Sequence, residues 1–562
     1  MLKKISYFLA SLFLLLLVVR CAKRGSPEGG PKDMDPPVFV SANPPNYSTN
    51  FDAEEIRINF NELIKLKELQ KNLIISPPLN PPALITPLGG AAPYIRISIE
   101  DTLLPNTTYV FNFGNSVVDN NENNPFRFFK YVMSTGDYID SLTVKGEIRD
   151  ALQQQPDEFV TVMLYEIDST YNDSIIYKSV PRYVTNTLDS TTSFELTNVR
   201  AGKYRLAALK DEASNYTFQP DKDKIAFYDQ VIEVPKDTSY VLTLFMEDPP
   251  LKAGRPVQTK LQRVAFPIAG NRDSISISLM NEKPSGFESL VTFKEGQDSL
   301  RYWYRPELER DSLIFEVAAG ASKLDTFYLR KRPLRPDSLA FNALSRGTIK
   351  IGDAFKIETT IPIVSIDSSK ISVIKSDSLN VAFKTGLFKE ESSFQVKFKT
   401  EESSNYQITF LPEALTDFFG TTNDTLYYET QTKVIADYGE LKLTLQEAEN
   451  YPYIVQIVTE KGEIIEERYA QEGKKVFNFG LVEPGSYYAR LILDANANRK
   501  YDTGNYLKQM QPETIIYYPK LLDLRSGWSL NETFILSQAV DAIPVKEEVN
   551  PEDETNPYQP EN

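Results

Sequence analysis

Alternation of apolar and polar residues dominates this chain and predicts short, half-buried β-strands. In the segment EIRINFNELIKL, Ile56, Ile58 and Phe60 alternate with polar residues, so the apolar side chains share one face of a strand. Similar segments recur along most of the chain, separated by turns rich in Pro, Asn and Gly. Short strands at this spacing predict an all-β fold of tandem β-sandwiches.

The first residues follow a different pattern. Lys3 and Lys4 precede an apolar run from Ile5 to Val19, and Cys21, the only cysteine, comes directly behind it. Such a run extends about 22 Å as a helix, which is shorter than a hydrocarbon core of about 30 Å. A basic start followed by a short apolar run is typical of a secretory signal, and a membrane anchor is the alternative.

An apolar run that ends at a cysteine resembles a bacterial lipoprotein signal. Val18, Val19 and Arg20 occupy the three positions before Cys21, although the family pattern prefers Gly, Ala or Ser where Arg20 stands. The resemblance implies a signal peptide over residues 1–20, cleavage before Cys21 and a diacylglycerol on the Cys21 thiol.

Residues 21–35 are rich in Gly, Pro and charge, which predicts a flexible tether. Ala22 follows the cysteine and no Asp retention signal is present, so the lipoprotein resemblance implies sorting to the outer membrane. We expect the cell surface rather than the periplasmic face, while the sequence leaves the leaflet open.

Residues 36–137 carry the motifs of a known domain type. PPVFVSANPPN, FNELIKL, LLPNTTYVFNFGNSVVDNNENN and YVMSTG together resemble the bacterial Ig-like domain of the SbsA type. That resemblance implies a structural module without catalytic residues. The segment LPEALTDFFGTTNDT in residues 341–435 resembles the Asp-x-x-Gly loop of the same domain type, which predicts a second, weaker copy.

Residues 138–250 and 436–540 form an internal repeat. FELTNVRAGKYRLAALKDEASNYTF aligns with FNFGLVEPGSYYARLILDANANRKY, pairing Gly202 with Gly485 and Tyr204 with Tyr487. The motif of the first copy resembles the carboxypeptidase-regulatory or Cna-B type of β-sandwich. Residues 251–340 alternate as well and predict a β-rich spacer domain, whereas the acidic, Pro-rich residues 541–562 predict a disordered tail.

Composition narrows the function. The chain of 562 residues contains no His, which removes the usual general base and every Ser-His-Asp arrangement. Its net charge of −16 predicts no binding to nucleic acid. We therefore expect a protein that is not an enzyme and needs no cofactor.

One loop has the spacing of a calcium site. Asp494, Asn496, Asn498 and Asp502 fall at positions 1, 3, 5 and 9 of a calcium-type loop, whose oxygen ligands can converge on one cation. Position 6 is Arg499 instead of Gly, and Asx residues also stabilise turns. Both interpretations stay open.

Two further patterns are candidates for binding or modification. Tyr302, Trp303 and Tyr304 could stack on sugar rings or anchor a partner protein, although one face of this strand is expected to be core. Asp-Ser/Thr followed by Leu, Ile or Thr occurs at eleven sites and resembles the O-glycosylation motif of exported Bacteroidota proteins, with a turn-to-strand pattern as the alternative: Asp101, Asp140, Asp168, Asp173, Asp189, Asp273, Asp298, Asp311, Asp337, Asp377 and Asp424.

The whole chain resembles Ig-like domain lipoproteins of Bacteroidota. This resemblance implies an outer-membrane lipoprotein, held to the membrane by its N-terminal lipid, that acts as a structural or protein-interaction scaffold. An outer-membrane protein is the expected partner, and one candidate is the barrel-assembly machinery. The alternative is a glycan-binding module of the cell surface.

Overall fold

The computed structural model describes residues 33–540, except for residues 154–156, 188–191, 273, 295, 346, 377–378 and 450–451. Cys21, the predicted signal and tether up to residue 32, and the predicted acidic tail lie outside the described residues. The described chain is nearly all β, which confirms the predicted fold class of tandem Ig-like sandwiches. Within these residues, no helix is long and apolar enough to cross a bilayer.

Residues 39–134 form the first sandwich. The strands β1 to β8 are Phe39–Asn43, Glu55–Leu66, Ile74–Ser76, Leu84–Thr86, Ala92–Ser98, Thr108–Asn112, Val117–Asp119 and Lys130–Ser134, and a short helix α1 spans Leu69–Asn72. One sheet has the order β1-β2-β5-β4, with β7 also paired to β2, and the other has the order β3-β6-β8. Ile56, Ile58 and Phe60 of β2 are buried in the core between the sheets, as the alternation predicts.

The second and fifth sandwiches share one topology. The strands β9 to β16 of the second are Leu142–Asp150, Thr161–Glu166, Tyr183–Asn186, Ser193–Val199, Gly202–Lys210, Lys224–Phe227, Ile232–Val234 and Ser239–Leu244, with a 3-10 turn at Asp173–Tyr177. The strands β34 to β41 of the fifth are Gly439–Gln446, Tyr453–Val458, Ile464–Ala470, Val476–Val482, Gly485–Leu493, Ile515–Tyr517, Leu522–Leu524 and Ser529–Ile535, with 3-10 turns at Ile435–Asp437 and Leu536–Gln538.

The shared topology is visible in the strand pairing. β9 and β16 pair in parallel in the second sandwich, and β34 and β41 do so in the fifth. β13 pairs with β10, β14 and β15, as β38 pairs with β35, β39 and β40. A Cβ on Gly202 would lie 3.2 Å from the Tyr204 hydroxyl, and a Cβ on Gly485 would lie 3.2 Å from the Tyr487 hydroxyl. The internal repeat of the sequence therefore extends to equivalent glycine–tyrosine contacts.

The third and fourth sandwiches lie between these copies in the sequence. In the third, β17 to β24 are Lys252–Ala253, Val257–Lys260, Arg263–Ala269, Ile275–Leu279, Glu288–Thr292, Ser299–Arg305, Ser312–Ala319 and Ser322–Arg330. In the fourth, β25 to β33 are Phe341–Ala343, Phe355–Thr359, Ile363–Ile366, Ile371–Lys375, Phe383–Phe388, Ser393–Phe398, Asn405–Phe410, Leu415–Asp417 and Leu426–Gln431, with a 3-10 turn at Ser368–Lys370. All strand pairings of the described residues join strands of the same predicted segment.

The chain divides into two compact units. The first holds residues 33–143 together with Arg182–Thr185 and Thr197–Arg200. Within it, the Val184 amide donates to the Ser76 hydroxyl and the Arg182 guanidinium donates to the Thr107 hydroxyl, each at 3.0 Å. The second unit holds the described residues of Val144–Pro181, Asn186–Leu196 and Ala201–Val540.

Candidate functional site

A loop of the fifth sandwich docks onto the second sandwich within the second compact unit. Tyr506 of this loop is fully buried, and its ring packs edge-on against Phe227 with ring centroids 5.3 Å apart. The Thr503 hydroxyl donates to the Met246 carbonyl, and the Gln511 side chain donates to the Phe227 carbonyl at 2.9 Å. An aromatic side chain that is buried in this way is the usual anchor of a protein interface.

Close backbone approach completes this docking. The Gly504 Cα lies so near the second sandwich that an added Cβ would be 2.5 Å from the Phe245 ring. The Tyr506 hydroxyl has no hydrogen-bond partner among the described residues, so its burial costs free energy that the ring contacts must offset. We call the segment Thr503–Gln511 the docking loop.

A buried carboxylate receives the docking loop. Glu247 of the second sandwich accepts hydrogen bonds from the Tyr506 backbone amide and from the Asn505 side chain. Burial raises the pKa of the Glu247 carboxyl, while the Tyr506 amide and Lys508 act in the opposite direction. The ionised carboxylate is therefore held at this junction at a cost in free energy.

Glu247 gives the docked state a predicted pH dependence. Because its pKa is raised in the folded protein, its contribution is most favourable below the ordinary Glu pKa and is lost as the pH rises through the raised value. We expect Glu247 to lower the Tm of the wild type as the pH rises from about 4.5 through the raised pKa, and Glu247→Gln to reduce that fall. Glu233→Gln, at an exposed position of the second sandwich, is the control and should keep the wild-type difference. An unchanged difference in Glu247→Gln would contradict this role.

The aromatic segment Tyr302–Tyr304 is core, which corrects the prediction of an accessible binding face. All three side chains are at most 1% exposed. Tyr302 and Tyr304 belong to the core of the third sandwich. Trp303 points the other way and packs against Ile361 and Phe418 of the fourth sandwich.

Trp303 joins the third and fourth sandwiches. Its indole Nε1–H donates to the Thr292 hydroxyl at 2.9 Å, and its ring centroid lies 6.2 Å from that of Phe419. The guanidinium of Arg263 lies 5.1 Å from the indole ring, beside a cleft of about 560 Å³. One face of this β-sheet is covered by the core of the third sandwich and the other by the fourth sandwich. Alternating residues of the strand are therefore buried on both sides, and none of the three rings is exposed.

The Asp/Asn loop brings its four predicted residues together. Asp494 is fully buried; its two oxygens accept hydrogen bonds from the Asn498 and Arg499 amides at 3.0 and 2.9 Å. The side-chain amides of Asn496 and Asn498 both donate to the Asp502 carboxylate, at 2.6 and 2.7 Å. Within the described residues, no group of three or more Asp, Glu, His or Cys is placed to hold a metal.

This loop therefore has the hydrogen bonds of a capped turn. The Glu513 carboxylate adds acceptors for the Ala495 and Asp502 amides, at 2.9 and 3.1 Å. In the matching loop of the second sandwich, Asp211 accepts from the Tyr216 amide at 2.7 Å and Asp223 accepts from the Glu212 and Gln219 amides. Calcium binding stays a prediction, and the turn interpretation accounts for the contacts observed.

The Asp-Ser/Thr sites are accessible in most cases. Asp189, Asp273 and Asp377 lie outside the described residues. At the other eight sites, the hydroxyl residue is exposed in six and half-buried in two, Ser174 and Ser299. Exposure is necessary for O-glycosylation but also fits a turn before a strand, so the modification stays a prediction. An intact mass equal to unmodified polypeptide plus lipid would exclude it.

One family model matches part of the chain. Residues 33–135 match the model described as a bacterial Ig-like domain. The first sandwich is a bacterial Ig-like domain. No curated protein matches the chain.

Three solved structures are distantly similar to this chain over more than its bacterial Ig-like domain. Domains 1–6 of the surface layer protein SbsC are 10% identical over 81% of this chain, with a TM-score of 0.13, and the chain covers 65% of that protein. SGBP-B of the Bacteroides ovatus mixed-linkage glucan utilization locus, in complex with a mixed-linkage heptasaccharide, is 10% identical over 67% of this chain and 93% of its own, with a TM-score of 0.17.

The third is FdeC, an Escherichia coli adhesin, which is 8% identical over 58% of this chain and 93% of its own, with a TM-score of 0.14. At such low TM-scores, these similarities carry no argument about ligands or partners.

Proposed function

We propose that this chain is a non-enzymatic, lipid-anchored scaffold of the outer membrane that holds an outer-membrane protein partner. The observation that supports this proposal is the contact between the second and fifth sandwiches. Their docking joins residues that are 259 positions apart, Glu247 and Tyr506. In a linear array of sandwiches, only sequence neighbours would touch.

Further contacts join the third sandwich to the fourth and the fourth to the fifth. Trp303 joins the third and fourth sandwiches, and Lys294 forms an ion pair with Glu358 at 2.8 Å across the same junction. Lys350 of the fourth pairs with Glu466 of the fifth at 2.7 Å. Within the second compact unit, such contacts hold surface residues from several sandwiches in a fixed arrangement, as a scaffold for a structured partner requires.

The proposed anchor is a diacylglycerol on Cys21. We expect cells that express the chain to incorporate labelled palmitate into it, and the Cys21→Ser variant to lose the label and to leave the membrane fraction. Because Cys21 is the only cysteine, no second thiol can take the lipid. Equal labelling of wild type and variant, or absence of label in both, would contradict lipidation and favour a membrane anchor formed by the apolar run.

Co-purification tests the scaffold function. The native lipoprotein, extracted in a gentle detergent and captured by a C-terminal tag, should bring an outer-membrane barrel protein with it, and one candidate complex is the barrel-assembly machinery. Tyr506→Ala keeps the anchor but opens the docked sandwiches, so we expect it to lose the partner, while Tyr506→Phe should retain it. A wild-type protein that elutes as a monomer with no partner would contradict the proposal.

The glycan-binding alternative has lost its support. It depended on exposed rings at Tyr302, Trp303 and Tyr304, and these rings lie in two packed cores. No other observation on the described residues favours it.

A further inference from the structure

A basic patch stands out on this acidic protein. The third sandwich, residues 251–340, carries 15 Lys and Arg against 11 Asp and Glu, whereas the whole chain has a net charge of −16. Seven of these cations occur in two short segments, 255–263 and 330–335. The sequence alone predicts a solvated turn for the second of them.

Backbone contacts bring the two segments together. The Leu261 amide donates to the Arg335 carbonyl at 3.2 Å, and the Arg332 amide donates to the Gln258 side chain at 2.7 Å. Lys260, at the end of β18, is therefore a close neighbour of Arg335, and Arg332 lies beside the same hairpin. We define the basic patch as Lys260, Arg332 and Arg335.

The cations of the patch lack acidic partners in the described part of the chain. Neighbouring cations are paired: Arg263 with Asp337 and Lys331 with Glu307. The side chains of the patch form no ion pair there, and its two arginines are exposed. Three unpaired cations at one place attract an anionic group on a protein whose net charge is negative.

One segment of the chain has the matching charge. Residues 541–562 hold seven acidic residues and a single Lys, a net charge of −6. The described chain ends at Val540, which pairs with Tyr517 and belongs to the same compact unit as the patch. Extended at about 3.3 Å per residue, the chain beyond Val540 reaches about 23 Å at Glu547 and about 46 Å at Glu554, which sets the distance over which this acidic segment can bind.

We propose that the acidic residues 547–554 bind in cis to the basic patch. Exposed ion pairs are individually weak because water and salt screen them, so this segment would bind weakly as a free peptide. Tethering raises its effective concentration to about millimolar, which favours occupancy at low salt. Screening shortens the range of such contacts to about 3 Å at 1 M salt, so the complex opens at high ionic strength.

Zero-length carbodiimide cross-linking on the full chain tests the proposal. Arg332→Lys and Arg335→Lys keep the charge and supply amines that can form an amide with Glu547, Glu548, Glu552, Asp553 or Glu554. We expect cross-links to this segment at about 20 mM salt and their loss at about 500 mM. Arg310→Lys is the matched control on the same sandwich, since Arg310 is already paired with Glu282, and should give at least tenfold less product.

Two further measurements distinguish a cis contact from other occupants. A synthetic peptide of residues 545–562 should bind the chain truncated after Val545 but not the intact chain, and Arg332→Glu with Arg335→Glu should abolish that binding. Equal cross-linking at positions 310 and 332, cross-links found only in dimers, or equal peptide binding by intact and truncated chains would each overturn the proposal.

Discussion

Replacing Tyr506 with Ala is expected to separate the fifth sandwich from the second. Removal of a fully buried aromatic side chain costs about 3–5 kcal/mol, which is a factor of at least a hundred in the equilibrium between docked and open forms. The ring contacts with Phe227 and Tyr177 are lost together, and Glu247 is left at a hydrated, poorly packed junction. The change acts on domain docking more than on the core of either sandwich.

Distance measurements show this separation directly. In a Cys21→Ser background the chain has no cysteine, so spin labels can be placed at Lys236→Cys in the second sandwich and Glu472→Cys in the fifth, both exposed positions. Wild type should give one narrow distance distribution, and Tyr506→Ala a broad one with longer distances. The Tm should fall as well.

Tyr506→Phe is the matched control. The Tyr506 hydroxyl is buried without a hydrogen-bond partner, so its removal relieves an unfavourable desolvation and leaves the ring in place. We expect the distance distribution of the wild type and a stability that is unchanged or up to about 1 kcal/mol higher. Tyr506→Ala with a wild-type distance distribution would refute the role of the docking loop.

The sequence predicted the strands well because their pattern is local. Alternation in β2 assigned Ile56, Ile58 and Phe60 to a core, and all three are buried. The repeat motif predicted that residues 138–250 and 436–540 share a fold, and the strand pairing of the two is the same. Period-two burial and turn residues are set by neighbours in the chain, so a single sequence contains them.

The docking loop could not be predicted in this way. The segment YDTGNYLKQM has no alternation, and the residues that bury Tyr506 lie far away in the sequence. The only local signal was a small residue, Gly504, two positions before the aromatic residue Tyr506. Glycine is required there because the backbone lies close to Phe245, which belongs to another sandwich.

The Asp/Asn loop shows a different limit. The same residues at the same spacing serve a calcium site or a capped turn, since both use side-chain oxygens at alternate positions. The difference lies in what faces those oxygens. Here the Asn498 and Arg499 amides point at Asp494, and no sequence pattern specifies the direction of a backbone N–H.

Replacing Trp303 with Ala is expected to destabilise the junction of the third and fourth sandwiches by about 3–5 kcal/mol. The indole fills the space against Ile361, Phe418 and Phe419, and its loss leaves a cavity beside the cleft. The Thr292 hydroxyl, which is buried, loses its donor. Thermal unfolding and limited proteolysis near residues 336–341 measure the effect, since this linker lies at the same junction.

Trp303→Phe separates packing from hydrogen bonding. Phenylalanine keeps an aromatic ring near Phe419 and loses only the Nε1–H bond to Thr292, so we expect a smaller loss of about 1–2 kcal/mol. Retardation in polysaccharide-containing native gels should be absent in the wild type and in both variants. The opposite outcome is a wild type that is retarded and a Trp303→Ala variant that has wild-type stability but is no longer retarded. That outcome would show that the indole binds glycan, because a residue that only joins two cores cannot be removed without a loss of stability.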